Sequence, residues 1–281
     1  MVNQDKSSYD LFKVINNRRS IRKFTEKPIT DDILNQILEA GIKAPFAAQL
    51  YSIVYTRDKE KMKKLRIGVY STTQLLMIFL VDFRKIEKII KQRNYQYDYD
   101  DGMLLWLGIQ DATLVAENVI LAADAVGLGS VLLGGAPLQT DIITEVFSIP
   151  SRVFPVVGLC LGYPDYTAET DVRPRYPLKY TAFEDSYHDL SENEIRECMK
   201  NMDEGYITQG YYIKLQAKIP LKKGKDTIDY DKYSWSEHQS RKYSQGWWKK
   251  ESILSLLQRQ GFNLEKSHNQ EETKMKRVPT N

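Results

Sequence analysis

Apolar positions along this chain follow two periods, one that of a helix and one dense enough for buried strands. Leu11, Phe12 and Ile15 make an amphipathic stripe over about residues 8–18. The same spacing predicts helices over about residues 31–43, 103–127, 138–147, 191–217 and 236–260. Strand candidates run from Ser52 to Thr56, Leu75 to Asp82, Ser130 to Leu133 and Val156 to Leu161. Thr30 before Asp31 and Asp32 supplies an N-cap with acids in the first turn, where they complement the helix dipole. Gly127 and Gly129 stand where the long central helix should stop, as a left-handed cap requires. That helix carries Leu104, Leu105, Leu107, Ile109, Leu114, Val115, Val119, Ile120 and Leu121 and is apolar around most of its circumference. It predicts a core element, buried either within one subunit or partly in a dimer interface.

Composition sets limits on this picture. With 281 residues, 42% hydrophobic and 27% charged, the chain can bury one large core or two modest ones. After Asp185 the sequence turns richer in Lys, Tyr and polar residues. Residues 1–190 therefore read as the core. Residues 191–265 read as a helical arm with no evident core of its own, suited to packing on a dimer, and residues 266–281 as a flexible tail. A formal net charge of +3 is too small for a nucleic-acid binder. Cys160 and Cys198 give neither a disulfide framework nor metal-ligand spacing, and no metal site is expected. The polar N-terminus lacks the apolar centre of a signal peptide, and no apolar run approaches the roughly 20 residues of a membrane span. The expected location is cytoplasmic, away from membranes.

The chemistry concentrates in arginines. Arg18-Arg19-Ser20-Ile21-Arg22-Lys23-Phe24 sets three guanidinium groups around one hydroxyl, either as solvated surface or as an anion site. If the first helix continued, Arg18 and Arg22 would share one face. Arg173-Pro174-Arg175 has the alternate spacing that sends both guanidinium groups to one side of an extended segment, and Pro174 biases Arg173 away from helix. The two clusters together suit a phosphate. Gly127-x-Gly129 fails as a dinucleotide fingerprint, because Leu132 replaces the third glycine and a strand follows instead of preceding. Gly129 and Gly134 fail as a phosphate loop, because Gly135-Ala136 stands where Lys-Ser or Lys-Thr is needed. Gly134-Gly135 is then either a tight turn or bare backbone against a flat ligand. His188, His238 and His268 have no zinc spacing and no nucleophile motif nearby.

In this order along the chain, Arg-Arg-Ser-Ile-Arg-Lys-Phe, Pro28-Ile29, Ala44-Pro45, Gln49-Leu50-Tyr51-Ser52, Gly127-Leu128-Gly129-Ser130, Leu133-Gly134-Gly135, and Gly158 to Pro164 before Arg-Pro-Arg resemble the FMN-dependent nitroreductase superfamily. Trp235-Ser236-Glu237-His238 and Leu256 to Phe262 are similar to the tail of its oxygen-insensitive NADPH nitroreductases and flavin reductases, with a longer segment between Gln209 and Trp235. The resemblance implies an α+β fold: a three-layer α/β/α sandwich with a mixed, mainly antiparallel sheet, assembled as a homodimer with FMN at the subunit boundary. It implies hydride transfer from NADPH, or NADH, through flavin N5 to nitroaromatics, quinones or flavins. The cofactor, not a catalytic side chain, carries that chemistry.

Carried over by position, Arg18, Arg19 and Ser20 match the phosphate and ribityl contacts, and Arg173 and Arg175 a second phosphate clamp. Arg22 matches the cation at the flavin's pyrimidine edge, Gln49 a partner of the same edge, and Leu133, Gly134 and Gly135 the opposite one. Phe46-Ala47-Ala48 departs from the family's hydroxyl-bearing residues, so side-chain ribityl contacts are lost there. Lys222, Lys223, Lys225 and Arg241 are candidates for the 2′-phosphate of NADPH. The alternatives are a non-catalytic FMN carrier or sensor and a reductive dehalogenase on the same fold.

Overall fold

The strand-length apolar runs pair into one antiparallel sheet, β1 (Tyr51–Thr56), β2 (Leu75–Asp82), β3 (Gly129–Leu133) and β4 (Val153–Gly162), in the order β1-β2-β4-β3. The computed structural model describes residues 7–65, 71–167, 171–245 and 251–264. β2 lies between β1 and β4 and is buried at every position, which is why it reads as an unbroken apolar run and not as an alternation. Its pairing with β4 slips by one residue next to Pro155, which has no N–H for the ladder. The segment after the first helix adds a parallel bridge, Ser20 to Ser130, along the outer edge of β3.

Helices cover both faces. On one, α2 (Asp31–Gly41) and α5 (Asp101–Ala125) pack Leu34, Ile37, Val115 and Val119 against Leu75, Met77, Phe79, Leu159 and Leu161. On the other, α3 (Lys59–Lys64) and α6 (Thr140–Phe147) bring Met62 and Ile143 onto Leu76, Ile78, Leu80 and Cys160. This is the expected α+β sandwich. Thr30 caps α2 by accepting from the Ile33 N–H at 3.4 Å. By length and composition α5 is apolar enough to cross a membrane, contrary to the sequence expectation. It is instead the sheet's central cover, with Ala112, Val115 and Val119 fully enclosed.

Gly127, at φ +80°, closes α5 in the left-handed cap conformation. Gly129 does not share that role: it begins β3, and a Cβ there would lie 2.6 Å from Ile21 Cγ1. α1 (Ser7–Asn17) stops before the arginines, so Arg18 and Arg22 do not share a helical face. α4 (Arg84–Gln92) has no buried residue and no side-chain cap, and sequence periodicity missed it, along with α3. The predicted helix 191–217 breaks at Gly210 (φ +59°) into α7 (Glu192–Thr208) and α8 (Tyr211–Leu215). Residues 236–260 contain α9 (Trp235–Ser244) and α10 (Ile253–Arg259), with 246–250 outside the described residues, as is the tail 266–281.

The arm does have a core, and it is aromatic. Tyr233 is 1% exposed and meets Tyr212 edge-on with ring centres 5.0 Å apart, and His238 stacks on Tyr212 at 4.9 Å. Burial lowers the His238 pKa within this stack. α10 joins the main body: Leu256, Leu257 and Phe262 pack with Leu50, Val81, Phe83, Leu104 and Phe154. Arg152 fastens that junction. Its guanidinium pairs with Asp101 and Glu87, donates to the Gly261 carbonyl at 2.9 Å, and lies over the Phe83, Tyr97 and Phe262 rings.

Candidate functional site

The arginine segment is held extended by its apolar members. Ile21 donates its N–H to the Ser130 carbonyl at 2.8 Å, and Ile21 and Phe24 are both buried. Room for them comes from two glycines paired across the sheet, Gly129 and Gly162. A Cβ on the first would meet Ile21 and Pro164, and on the second it would stand 2.7 Å from Phe24 Cβ. Beyond Arg18, whose N–H still donates to the Ile15 carbonyl, extended alternation sends Ser20 and Arg22 to one side and Arg19 and Ile21 to the other.

That division appears in the surroundings. Arg19 and Ile21 line a cavity of about 230 Å³ with Lys13, Asn17, Asp124, Pro164 and Tyr166. Burial pushes the Asp124 carboxyl up to about 6, against the pull of the Arg18 and Arg19 charges. Arg19 is thus placed beside α5 and donates to the Asn17 carbonyl at 3.1 Å.

Arg22, Arg173 and Arg175 converge from distant parts of the chain. All three act electrostatically on the Tyr206 hydroxyl, opposing the burial that raises its pKa. The Arg173 pKa is depressed, first by burial and also by the Arg22 charge. Among the described residues none of the three forms an ion pair with a carboxylate. Asp171 offsets part of the Arg173 charge without pairing with it; the remaining concentration of guanidinium charge costs energy, and a phosphate is the group that would relieve it. The Arg-Pro-Arg segment is set by α7: Gly205 lets Pro174 approach so closely that a Cβ there would be 2.4 Å from Pro174 Cγ.

Gly134 and Gly135 lie just past the end of β3, and nothing stands within 4 Å of where a Cβ would be on either. Gly134 stands four residues along the chain from Ser130, the partner of Ser20, while the segment from Ile21 to Phe24 crosses past Gly129 and Gly162 to pair with Pro164. Bare backbone past the end of β3 leaves room for a planar ligand. Leu133 is buried beneath that turn.

The loop carrying Gln49 is organised by a residue that sequence reading missed. Asp111, 1% exposed on α5, accepts from the N–H groups of Ala47 (2.6 Å), Ala48 (3.3 Å) and Leu50 (2.9 Å). The signal was an acid inside an otherwise apolar helix. Gln49 itself is exposed at φ +52°, a left-handed conformation that the flanking bonds to Asp111 hold in place.

Of the predicted 2′-phosphate cations, Arg241 is excluded. It is 4% exposed and spent on Asp226 (2.8 Å) and Glu237 (2.5 Å), holding the loop together from inside. Lys222, Lys223 and Lys225 are on the exposed part of that loop.

The nitroreductase family's sequence model matches residues 15–163. An NADPH-flavin oxidoreductase of Vibrio harveyi is 32% identical over 199 residues, covering 68% of this chain and 80% of its own. An oxygen-insensitive NADPH nitroreductase of Salmonella typhimurium is 30% identical over 199 residues, with the same coverage of 68% and 80%. A solved NADPH:FMN oxidoreductase from Vibrio harveyi, complexed with NAD+, superposes with a TM-score of 0.69 at 27% identity, over 90% of this chain and 98% of that one.

Proposed function

The chain belongs to the nitroreductase family, and from that premise we propose that its arginine site holds the phosphate of FMN and that the protein is an NAD(P)H oxidoreductase of small electron acceptors. The single observation that carries this reading is the grouping of Arg22, Arg173 and Arg175 around Tyr206 without an ion-paired carboxylate among the described residues. When bound, FMN supplies hydride transfer between the nicotinamide and the acceptor, whether nitroaromatic, quinone or flavin.

The protein's part is binding, orientation and charge. Arg18, and Ser20 on the same side of the strand as Arg22, contact the phosphate and ribityl chain, with Arg173 and Arg175 completing the clamp. Arg22 would sit at the pyrimidine edge of the bound flavin, where its positive charge would favour negative charge on the ring. Gln49 binds the same edge from a loop fixed by Asp111. Main-chain N–H groups of the 133–135 turn serve the opposite edge, since no side chain there stands in the way. Arg19, also expected at the phosphate, lines the cavity beside Asp124, on which the Arg18 and Arg19 charges both act.

The working form is a cytoplasmic homodimer. Leu11, Phe12 and Ile15 of α1, and Met103, Trp106 and Leu114 of α5, are exposed apolar side chains in the single chain. They flank a groove of about 570 Å³ between α1, α2 and α5 lined by Leu11, Val14, Leu121 and Ala122. A second copy covers this surface, and residues 191–265 pack on it as an arm on the 1–190 core. The test is the flavin released from purified protein. FMN is expected, and Arg175→Ala should weaken its retention roughly 10- to 100-fold, the worth of one charge-assisted contact. FAD, or unchanged affinity in the variant, would overturn the assignment.

A further inference from the structure

We propose that Gln209, at the end of α7, is a positioning residue for the phosphate clamp, fixing the Arg173 guanidinium so that the C-terminal arm sets the affinity for FMN; this rests on the reading of Arg173 given above. Gln209 uses both ends of its amide. Its Oε1 accepts from Arg173 Nη1 at 2.6 Å, and its Nε2 donates to the Val172 carbonyl at 2.8 Å. One side chain therefore grips the arginine and the backbone immediately before it. The Arg173 guanidinium also lies 4.1 Å above the centre of the Tyr211 ring and 5.9 Å from that of Tyr206.

An arginine has several rotatable bonds and loses much side-chain freedom when it binds an anion. A guanidinium already held in place by an amide and an aromatic face has lost that freedom before the ligand arrives, so less is lost on binding. The choice of partner matters as well. A neutral amide orients the arginine while leaving its charge intact, whereas a carboxylate at the same place would cancel the charge meant for the phosphate. The tyrosine faces do likewise, attracting the cation without neutralising it. Gly205 against Pro174 and Gln209 against Arg173 thus bring the end of the arm onto Arg173 and the proline that follows it.

The test compares FMN with riboflavin, which has the same ring and no phosphate, by fluorescence titration of flavin-stripped protein. Gln209→Met keeps the volume and removes both hydrogen bonds. It should weaken FMN about 3- to 10-fold, the range of one ordinary hydrogen bond, and leave riboflavin unchanged. Gln209→Asn, too short to span both partners, should behave alike. Gln209→Glu should weaken FMN further, and Tyr211→Phe, which keeps the ring, should match wild type. In an Arg173→Ala background Gln209→Met should have no further effect. Equal losses for both flavins, or wild-type FMN affinity in both the Met and Asn variants, would overturn the role of Gln209. If Arg173→Ala itself leaves the FMN to riboflavin ratio unchanged, the clamp reading falls first.

Discussion

Asp111 and Asp124 show how one residue type on one helix serves opposite ends. Asp111 is buried and accepts three main-chain N–H groups, so its charge is needed where it is. Asp111→Asn turns one acceptor into a donor facing a donor. The expected cost is about 1–3 kcal/mol in chemical denaturation, with weaker flavin binding through the Gln49 loop. Asp124 is half-buried with no ion pair among the described residues, and its carboxyl sits at about 6 instead of the ordinary 3.8. Between those two values the folded state keeps a proton that the unfolded chain has released, so this group's contribution to stability falls as pH rises from about 4 to 6. Asp124→Asn imitates the protonated form. Its melting temperature should match wild type near pH 4 and exceed it near pH 7, and a constant offset would show that the carboxyl does not titrate as described. The arginines could be picked out in sequence because two separate clusters of them together suit an anion. Asp111 and Gln209 were not, because what they hold comes from tens of residues away.

Among the elements, the four strands were plain, since burial on both sides of the sheet leaves long apolar runs. α3 and α4 were hidden for the opposite reason: one has a single buried residue and the other none. The glycine pair misled. Gly127 is a cap, but Gly129 serves the packing of Ile21, a contact that no local pattern announces. Gly162→Ala tests that packing: its Cβ would collide with Phe24, and displacing the arginine strand should cost about 1–3 kcal/mol and loosen FMN in the same variant. Loss of stability with wild-type FMN affinity would separate strand packing from the site. At the other end of the fold, Asp101 is 4% exposed in its pair with Arg152 and ties α5 to the α10 region through the Asn263 N–H at 2.6 Å. Asp101→Ala leaves a buried guanidinium with fewer partners and should destabilise by about 3–5 kcal/mol, with amides near 256–263 gaining hydrogen exchange first.

For the whole molecule, the sandwich and the order of its motifs could be read from the chain, while the aromatic core of the arm and the burial of Arg241 could not. Tyrosines spaced irregularly over residues 206–233 carry no helical period, so their clustering emerges only when α7, α8 and α9 meet. With Arg241 removed, the exposed Lys222, Lys223 and Lys225 remain the candidates for the 2′-phosphate of NADPH. A charge swap of these three to Glu should lower kcat/KM for NADPH at low salt and leave NADH nearly unchanged, because only the 2′-phosphate feels the loop.

The central claim is that one site binds FMN and passes it electrons from a reduced nicotinamide. Anaerobic titration of the purified yellow protein with NADPH, followed by the flavin's visible absorbance, tests this most directly. The account predicts bleaching that is complete near one NADPH per bound FMN and is reversed by adding a quinone or nitroaromatic acceptor. Bound flavin that keeps its colour with both NADPH and NADH would contradict it, and would leave a protein that carries the cofactor without using it.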